Sequence, residues 1–159
     1  MDRNQENARS NWLVVFYATW AFSGYAPVAP GTAGTLATIP LVILFSFLTW
    51  PVFLFCILLM FFLGVAASSY CIRRFQSKDP SKVVIDETVG FLITMFLVPL
   101  SPASVLTGFF LFRVADVIKP SPARDAEKLP AGWGVMLDDV VAGLYANIVL
   151  QIIWRFLIH

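Results

Sequence analysis

The stretch Leu36 to Tyr70, LATIPLVILFSFLTWPVFLFCILLMFFLGVAASSY, carries no charged residue and is interrupted only by Pro40 and Pro51. A single helix of that length would run roughly 50 Å at 1.5 Å per residue, well beyond the ~30 Å core of a bilayer. Two spans meeting near Trp50-Pro51 fit the stretch better. Outward from it, Thr88 to Phe112 is again free of charge, Val140 to Ile158 forms a last apolar run, and the charges gather in short stretches between these runs. Of 159 residues, 58% are hydrophobic and 13% charged, against roughly 25% charged in an ordinary soluble domain. The expected fold is all-α: a multi-pass membrane helix bundle with about five membrane-inserted helices, at 36–50, 52–70, 87–99, 102–116 and 140–158, plus a short N-terminal helix.

The length leaves room for one domain, 1–159, made of an N-terminal interfacial segment with a Pro/Gly loop (1–35) and a helical bundle (36–159). Trp12 to Phe22 is apolar behind Arg3 and Arg9, as in a signal peptide. Glu6 weakens that basic region, however, and the bulky Trp20 and Phe22 sit near any cleavage point. The segment is too short to span a bilayer and reads as a helix lying in the interface or packed on the bundle. A net charge of +1 provides no basic stripe to track nucleic acid, so none is expected as a partner. Cys56 and Cys71 lie too far apart along one helix to form a disulfide.

Pro99-Leu100-Ser101-Pro102 reads as a turn. Folding the chain back about it sets Glu87 opposite Arg113 and Asp86 opposite Asp116. With five crossings, the N-terminus and the loops at 71–86 and 113–139 share one face. All ten acids and every Lys and Arg except Arg155 fall on that face, and the positive-inside rule makes it cytoplasmic.

Three segments deliver carboxylates to this face: Asp86-Glu87, Asp116 and Asp138-Asp139. Taken singly, each pair has an ordinary reading as the acidic first turn of a helix, and Arg113, Asp116 and Lys119, spaced by three, read as local ion pairs. Convergence changes the reading. Five carboxylates against Arg113 and Lys119 leave a formal charge of −3 in a partly desolvated place, which calls for a divalent cation. All-oxygen ligands suit Mg²⁺ or Mn²⁺ rather than zinc, and the only histidine is the terminal His159. Arg113 and Lys119 are then free to hold a phosphate. Ahead of the first apolar run, the segment Pro27 to Thr35 offers Gly31 and Gly34 for backbone freedom and the hydroxyls of Thr32 and Thr35, as a phosphate-binding loop or as a rigid turn. Asp139, Gly143, Asn147, Gln151 and Arg155 form a line at four-residue spacing that should face the bundle interior, with Gly143 allowing close helix contact.

With these residues in view, the chain resembles the phosphatidylglycerophosphatase A family. The resemblance runs from about Ser23 to Gly143 in three blocks: Pro27 to Pro40, Val84 to Gly90, and Phe112 to Gly143. The third is the most specific, joining Phe112-Arg113, Asp116, Lys119-Pro120, Pro122, Asp125, Gly132, Gly134, Met136 and Asp138-Asp139. Ala131 stands where many relatives have glycine, and Ala115 takes a usually larger apolar position. The resemblance implies an integral enzyme of the bacterial inner (cytoplasmic) membrane. Such an enzyme uses Mg²⁺ to remove the terminal phosphate of phosphatidylglycerophosphate, a phospholipid in the bilayer.

On that reading Asp86, Glu87, Asp116, Asp138 and Asp139 hold one or two Mg²⁺ ions, while Arg113 and Lys119 grip the phosphate. Thr32 and the Gly31 to Thr35 backbone add donors. Which carboxylate serves as base or nucleophile is left open. A Cys-x5-Arg phosphatase is excluded, because the residues six beyond Cys56 and Cys71 are Phe62 and Ser77. Histidine-nucleophile and Asp-x-Asp chemistries lack their residues as well. The alternatives are a phosphatase for phosphatidic acid or a polyprenyl phosphate, and a small ion-coupled carrier.

Overall fold

The structure is a computed structural model that describes residues 12–77 and 80–158; Asp2, Arg3, Glu6, Arg9, Lys78, Asp79 and His159, used in the charge reading, lie outside them. Among the described residues every regular element is helical. Residues 12–18 form α1, followed by a 3-10 turn at Ser23–Tyr25. Then come α2 (Pro30–Ala37), α3 (Ile39–Phe45), α4 (Trp50–Phe75), α5 (Ile85–Met95), α6 (Pro102–Ile118), the short α7 (Ala123–Ala126) and α8 (Gly132–Ile153), which widens into π turns at Trp154–Ile158.

Proline sets four of these starts. Pro30, Pro40, Pro51 and Pro102 occupy the first turn of α2, α3, α4 and α6, where a missing N–H costs nothing. Several expected boundaries move as a result. Pro51 opens α4 instead of lying in a turn, and the chain reverses at 46–49. The first pass is Pro30 to Phe45, bent at Thr38, whose N–H still reaches Gly34 O at 3.1 Å. Gly31 to Thr35, expected as a loop, are therefore helical. At its other end α4 continues past Tyr70 to take in Arg73 and Arg74, cations suited to a helix C-terminus.

The helical passes alternate in direction. Gly132 abuts Val65 and Ser69 while Met136 reaches Gly64, so α8 runs antiparallel to α4. At the far end Phe53 of α4 meets both Phe45 and Phe96, at 5.3 and 5.4 Å between centroids. At the near end Glu87 of α5 meets Arg113 of α6. The innermost element is α5, with α4, α6 and α8 around it. Its crossing with α8 is held at Gly90 and Gly143, where a Cβ on Gly143 would run into Gly90 O. One turn further on, Asn147 Nδ2 donates to Thr94 O and Phe96 O at 2.9 and 2.8 Å, satisfying carbonyls that the end of α5 leaves open.

Among the described residues two helices, Trp50–Phe75 and Gly132–Phe156, are long and apolar enough to cross a membrane. Only 33% and 39% of their most apolar windows are buried, so much of their Leu, Phe and Ile faces outward, unlike the core helices of a soluble protein. Phe55 and Ile148 are 63% and 56% exposed. The eleven residues of α5 reach only about 16 Å. On the outside of the bundle, α1 is tied down by Tyr17 Oη, which donates to Met60 O at 2.8 Å, and by Val84 N–H, which donates to Ala18 O at 3.0 Å. Of the two placements expected for this segment, the contacts correspond to packing on the bundle.

Candidate active site

The acids come together at the near end of the bundle. The first turn of α5 supplies Asp86 and Glu87, the last turns of α6 supply Arg113 and Asp116, and Lys119 caps α6. The other pair sits differently from the expectation that α8 begins at Val140. That helix starts at Gly132, where the Ser69 hydroxyl accepts the Gly132 N–H at 3.0 Å and Gly134 lies close against Leu129 O. Small residues there let the helix begin early under the preceding loop. Asp138 and Asp139 are consequently recessed about 10 Å along α8 and are only 6% and 3% exposed.

Ion pairing divides the five carboxylates. Asp138 Oδ2 accepts from Lys119 Nζ at 2.7 Å, and its Oδ1 accepts the Asp139 N–H at 3.0 Å. Asp116 Oδ2 lies 2.7 Å from Arg113 Nη1, too oblique for a hydrogen bond, which leaves that buried nitrogen without a hydrogen-bond partner among the described residues. Glu87 is 3.9 Å from the same guanidinium, realising the pairing expected from the fold-back at residue 100. Asp86 instead lies against Glu87, with Asp139 and Asp138 beside it, while Asp116 faces Asp139. Burial opposes the charge on Lys119, and contact with Asp138 more than offsets it, holding the ammonium above its ordinary pKa.

Asp86 and Asp139, which make no ion pair among the described residues, join Glu87 in a cluster in which each presents an oxygen within 4.8 Å of the others. At an effective dielectric of about 20, two unit charges at that distance repel by about 3 kcal/mol. Asp86 Oδ1 and Glu87 Oε2 are buried with no hydrogen-bond partner among the described residues. Crowded, desolvated oxygens without donors are what a hard divalent cation binds, so this donor set fits one.

These groups line a cavity of about 620 Å³, together with Gly31 and residues of the 119–131 loop. The loop is tied to α8 by Tyr145 Oη, which donates to Ser121 O at 2.9 Å. Gly31 reaches the site as part of α2; a Cβ there would strike Glu87 Oε1 and approach Arg113 Nη1. Thr32 and Thr35 do not line the cavity, and the buried Thr35 hydroxyl donates to Gly31 O at 2.9 Å. Arg124, Glu127 and Lys128 also line the cavity, and the sequence reading assigned them no role. Their charges, in a stretch rich in Pro and Ala, look like those of any solvated loop.

Two substitutions test this geometry. Gly31→Ala presses only on the ends of two side chains, so the fold should hold within about 1 kcal/mol while activity falls about 10- to 100-fold through misplaced Glu87 and Arg113. Thermal midpoint and initial rate, measured together, check this. Ala131 has φ 55° and ψ −142°, a conformation suited to glycine, which accounts for the glycine that the family resemblance leads one to expect there. Ala131→Gly should stabilise the chain by about 1 kcal/mol in a denaturation experiment, and a lower midpoint would contradict the strain.

Residues 16–154 match the family described as Phosphatidylglycerophosphatase A. The chain belongs to the phosphatidylglycerophosphatase A family. The phosphatidylglycerophosphatase A of Escherichia coli is 35% identical over 133 residues, covering 82% of this chain and 77% of its own. That of Haemophilus influenzae is 43% identical over 131 residues, 80% of each. A Bacteroides thetaiotaomicron protein with the provisional name phosphatidylinositol-3-phosphatase is 36% identical over 151 residues, 91% of this chain and 95% of its own. No solved structure matches the chain. Membership in the phosphatidylglycerophosphatase A family makes it a phosphoric monoester hydrolase, and the cavity with its acids and cations lies within the matched span.

Proposed function

We propose that the chain hydrolyses the terminal phosphomonoester of phosphatidylglycerophosphate, giving phosphatidylglycerol and inorganic phosphate, with Mg²⁺ as cofactor. The observation that carries this is the Asp86, Glu87 and Asp139 cluster, with its orphaned oxygens, beside Arg113 and Lys119 in a chain of this family. Asp86, Glu87 and Asp139 are the first ligands for the ion, and Asp116 and Asp138 are close enough to join or to serve a second. When bound, Mg²⁺ supplies charge for the phosphoryl oxygens and acidity for a water.

The protein's own groups do the rest. Arg113, whose Nη1 is ion-paired with Asp116 but makes no hydrogen bond among the described residues, offers its guanidinium to a phosphoryl oxygen, and Asp116 keeps it aimed at the cavity. Lys119 supplies a second positive charge, held in place by Asp138 and Glu127 at 2.7 and 3.5 Å. The first turn of α2, with Gly31 at the cavity wall, points helix N–H groups toward the same space. Thr35 supports that turn, its hydroxyl bonded inside it. Phosphate-monoester hydrolysis is slow without help, and fixed charges around the reacting phosphate supply the largest single contribution.

The setting is a membrane. Five passes, formed by α2 with α3 and by α4, α5, α6 and α8, form one domain in the bacterial inner membrane, with the site at the cytoplasmic face and α5 shielded from lipid by its neighbours. The exposed Phe and Leu side chains of α4, α6 and α8 favour this placement. A lipid substrate would then present its head group from the side of the bundle.

A second reading has an observation of its own. The provisional name of the Bacteroides relative points to a phosphate on an inositol ring. Both head groups join a phosphomonoester to a phosphodiester, whereas phosphatidic acid and polyprenyl phosphates do not. Rates for purified protein on matched micelles of these lipids decide between them. Fastest release from phosphatidylglycerophosphate supports the first reading, and equal turnover of all four would end the specific assignment.

A further inference from the structure

We infer that Arg124 forms a second anion subsite at the cavity wall, which binds the phosphodiester of the head group and so selects lipids bearing both a phosphodiester and a phosphomonoester. The inference rests on the phosphatase reading above. Its basis is how the cations around the cavity are engaged. Arg113 lies against Asp116 and Glu87, Lys119 against Asp138 and Glu127, and Lys128 Nζ donates to Asp125 at 2.7 Å. Arg124 lines the same cavity, is exposed, and makes no ion pair among the described residues.

Its place in the chain matters as much as its freedom. Arg124 is on α7, in the loop that packs over the start of α8, while the carboxylate cluster is set deeper, on α5 and within α8. The cavity therefore has an acidic, cation-demanding part and, on a different element, a wall where Arg124 is the cation without an ion-pair partner among the described residues. A head group with one phosphate would engage the first part only. One with two phosphates would place its reacting monoester there and meet Arg124 with the diester, whose two non-bridging oxygens suit a guanidinium fork. Such an interaction is the same in ground and transition states, so it acts on KM and not on kcat.

The test uses the full-length protein in detergent, with Arg124→Gln and Arg124→Lys beside the wild type, and phosphatidylglycerophosphate as substrate. Three quantities are read: kcat, KM, and the inhibition constant of added inorganic phosphate, which reports the reacting site alone. Arg124→Gln should raise KM about 10- to 100-fold with kcat and phosphate inhibition unchanged, and Arg124→Lys should recover part of the loss. An unchanged KM overturns the inference. So does a KM that rises together with the phosphate inhibition constant, because Arg124 would then serve the reacting phosphate. If the wild type releases no phosphate, the phosphatase reading itself fails, an outcome distinct from either of these.

Discussion

Asp139→Asn is expected to lower metal-dependent phosphate release by about a thousandfold or more while making the metal-free protein more stable. Both effects have one cause. Asp139 is buried, within 4.8 Å of Asp86 and Glu87 at the ligand oxygens, and faces Asp116. Without a cation, each close pair of carboxylates would repel by about 3 kcal/mol if both were ionised, at an effective dielectric of 20, or must hold a proton to stay buried. The amide has the same shape, carries no charge and can donate to Asp116. A gain of even 1 kcal/mol raises the thermal midpoint by about 2–4 °C in a chain of this size. Conversely, Mg²⁺ at a hundred times its dissociation constant should stabilise the wild type by about 2.7 kcal/mol and leave the variant nearly unmoved. Melting curves in chelator and in Mg²⁺ read all of this without an activity assay. A variant that melts lower in chelator yet still responds to Mg²⁺ would show that Asp139 is a structural acid and not a ligand.

Gly143→Ala is expected to damage fold and site together. A Cβ there meets Gly90 O, a backbone atom that cannot swing aside, so α5 and α8 must separate. Overpacking of that kind costs about 1–3 kcal/mol. Gly143 is one turn beyond Asp139, and α5 carries Asp86 and Glu87, so the same displacement pulls the ligand cluster apart. Loss of Mg²⁺ stabilisation should accompany the lower midpoint. Gly64→Ala is the natural comparison, since its Cβ would press on the Sδ and Cε end of Met136 and make ordinary contact with Ile85, without meeting a backbone atom among its nearest neighbours. It should cost less and leave the Mg²⁺ response intact. Equal damage from both would mean that the α5–α8 crossing has no special part in holding the site.

The sequence made the site more legible than the helix boundaries. Charge is scarce here, so each acid within an apolar run stood out, and the turn at Pro99 to Pro102 was enough to set Glu87 against Arg113. The line through Asp139, Gly143 and Asn147 foretold the crossing with α5, because polar and small residues on an apolar helix have to face protein. Its continuation, Gln151 and Arg155, expected to face the interior too, is exposed, beyond the end of α5. Boundaries were harder. Apolar composition does not distinguish a proline that ends a helix from one that starts it, so Pro51 was placed in a turn. Nor does it reveal that α8 begins at Gly132, since Gly132 and Gly134 look like loop residues until Ser69 and Leu129 are packed against them. Arg124 was invisible for a related reason: only the folded loop shows that it borders the cavity while its neighbour Lys128 is tied to Asp125.

The most direct test of the central claim is phosphate release from phosphatidylglycerophosphate by the purified wild-type protein, followed in Mg²⁺ and again after chelation. Release that depends on Mg²⁺, stops with chelator and returns on readdition is the expected result. Release that persists undiminished in chelator, or none from well-folded protein in either condition, would contradict a metal-dependent phosphatase built on Asp86, Glu87 and Asp139.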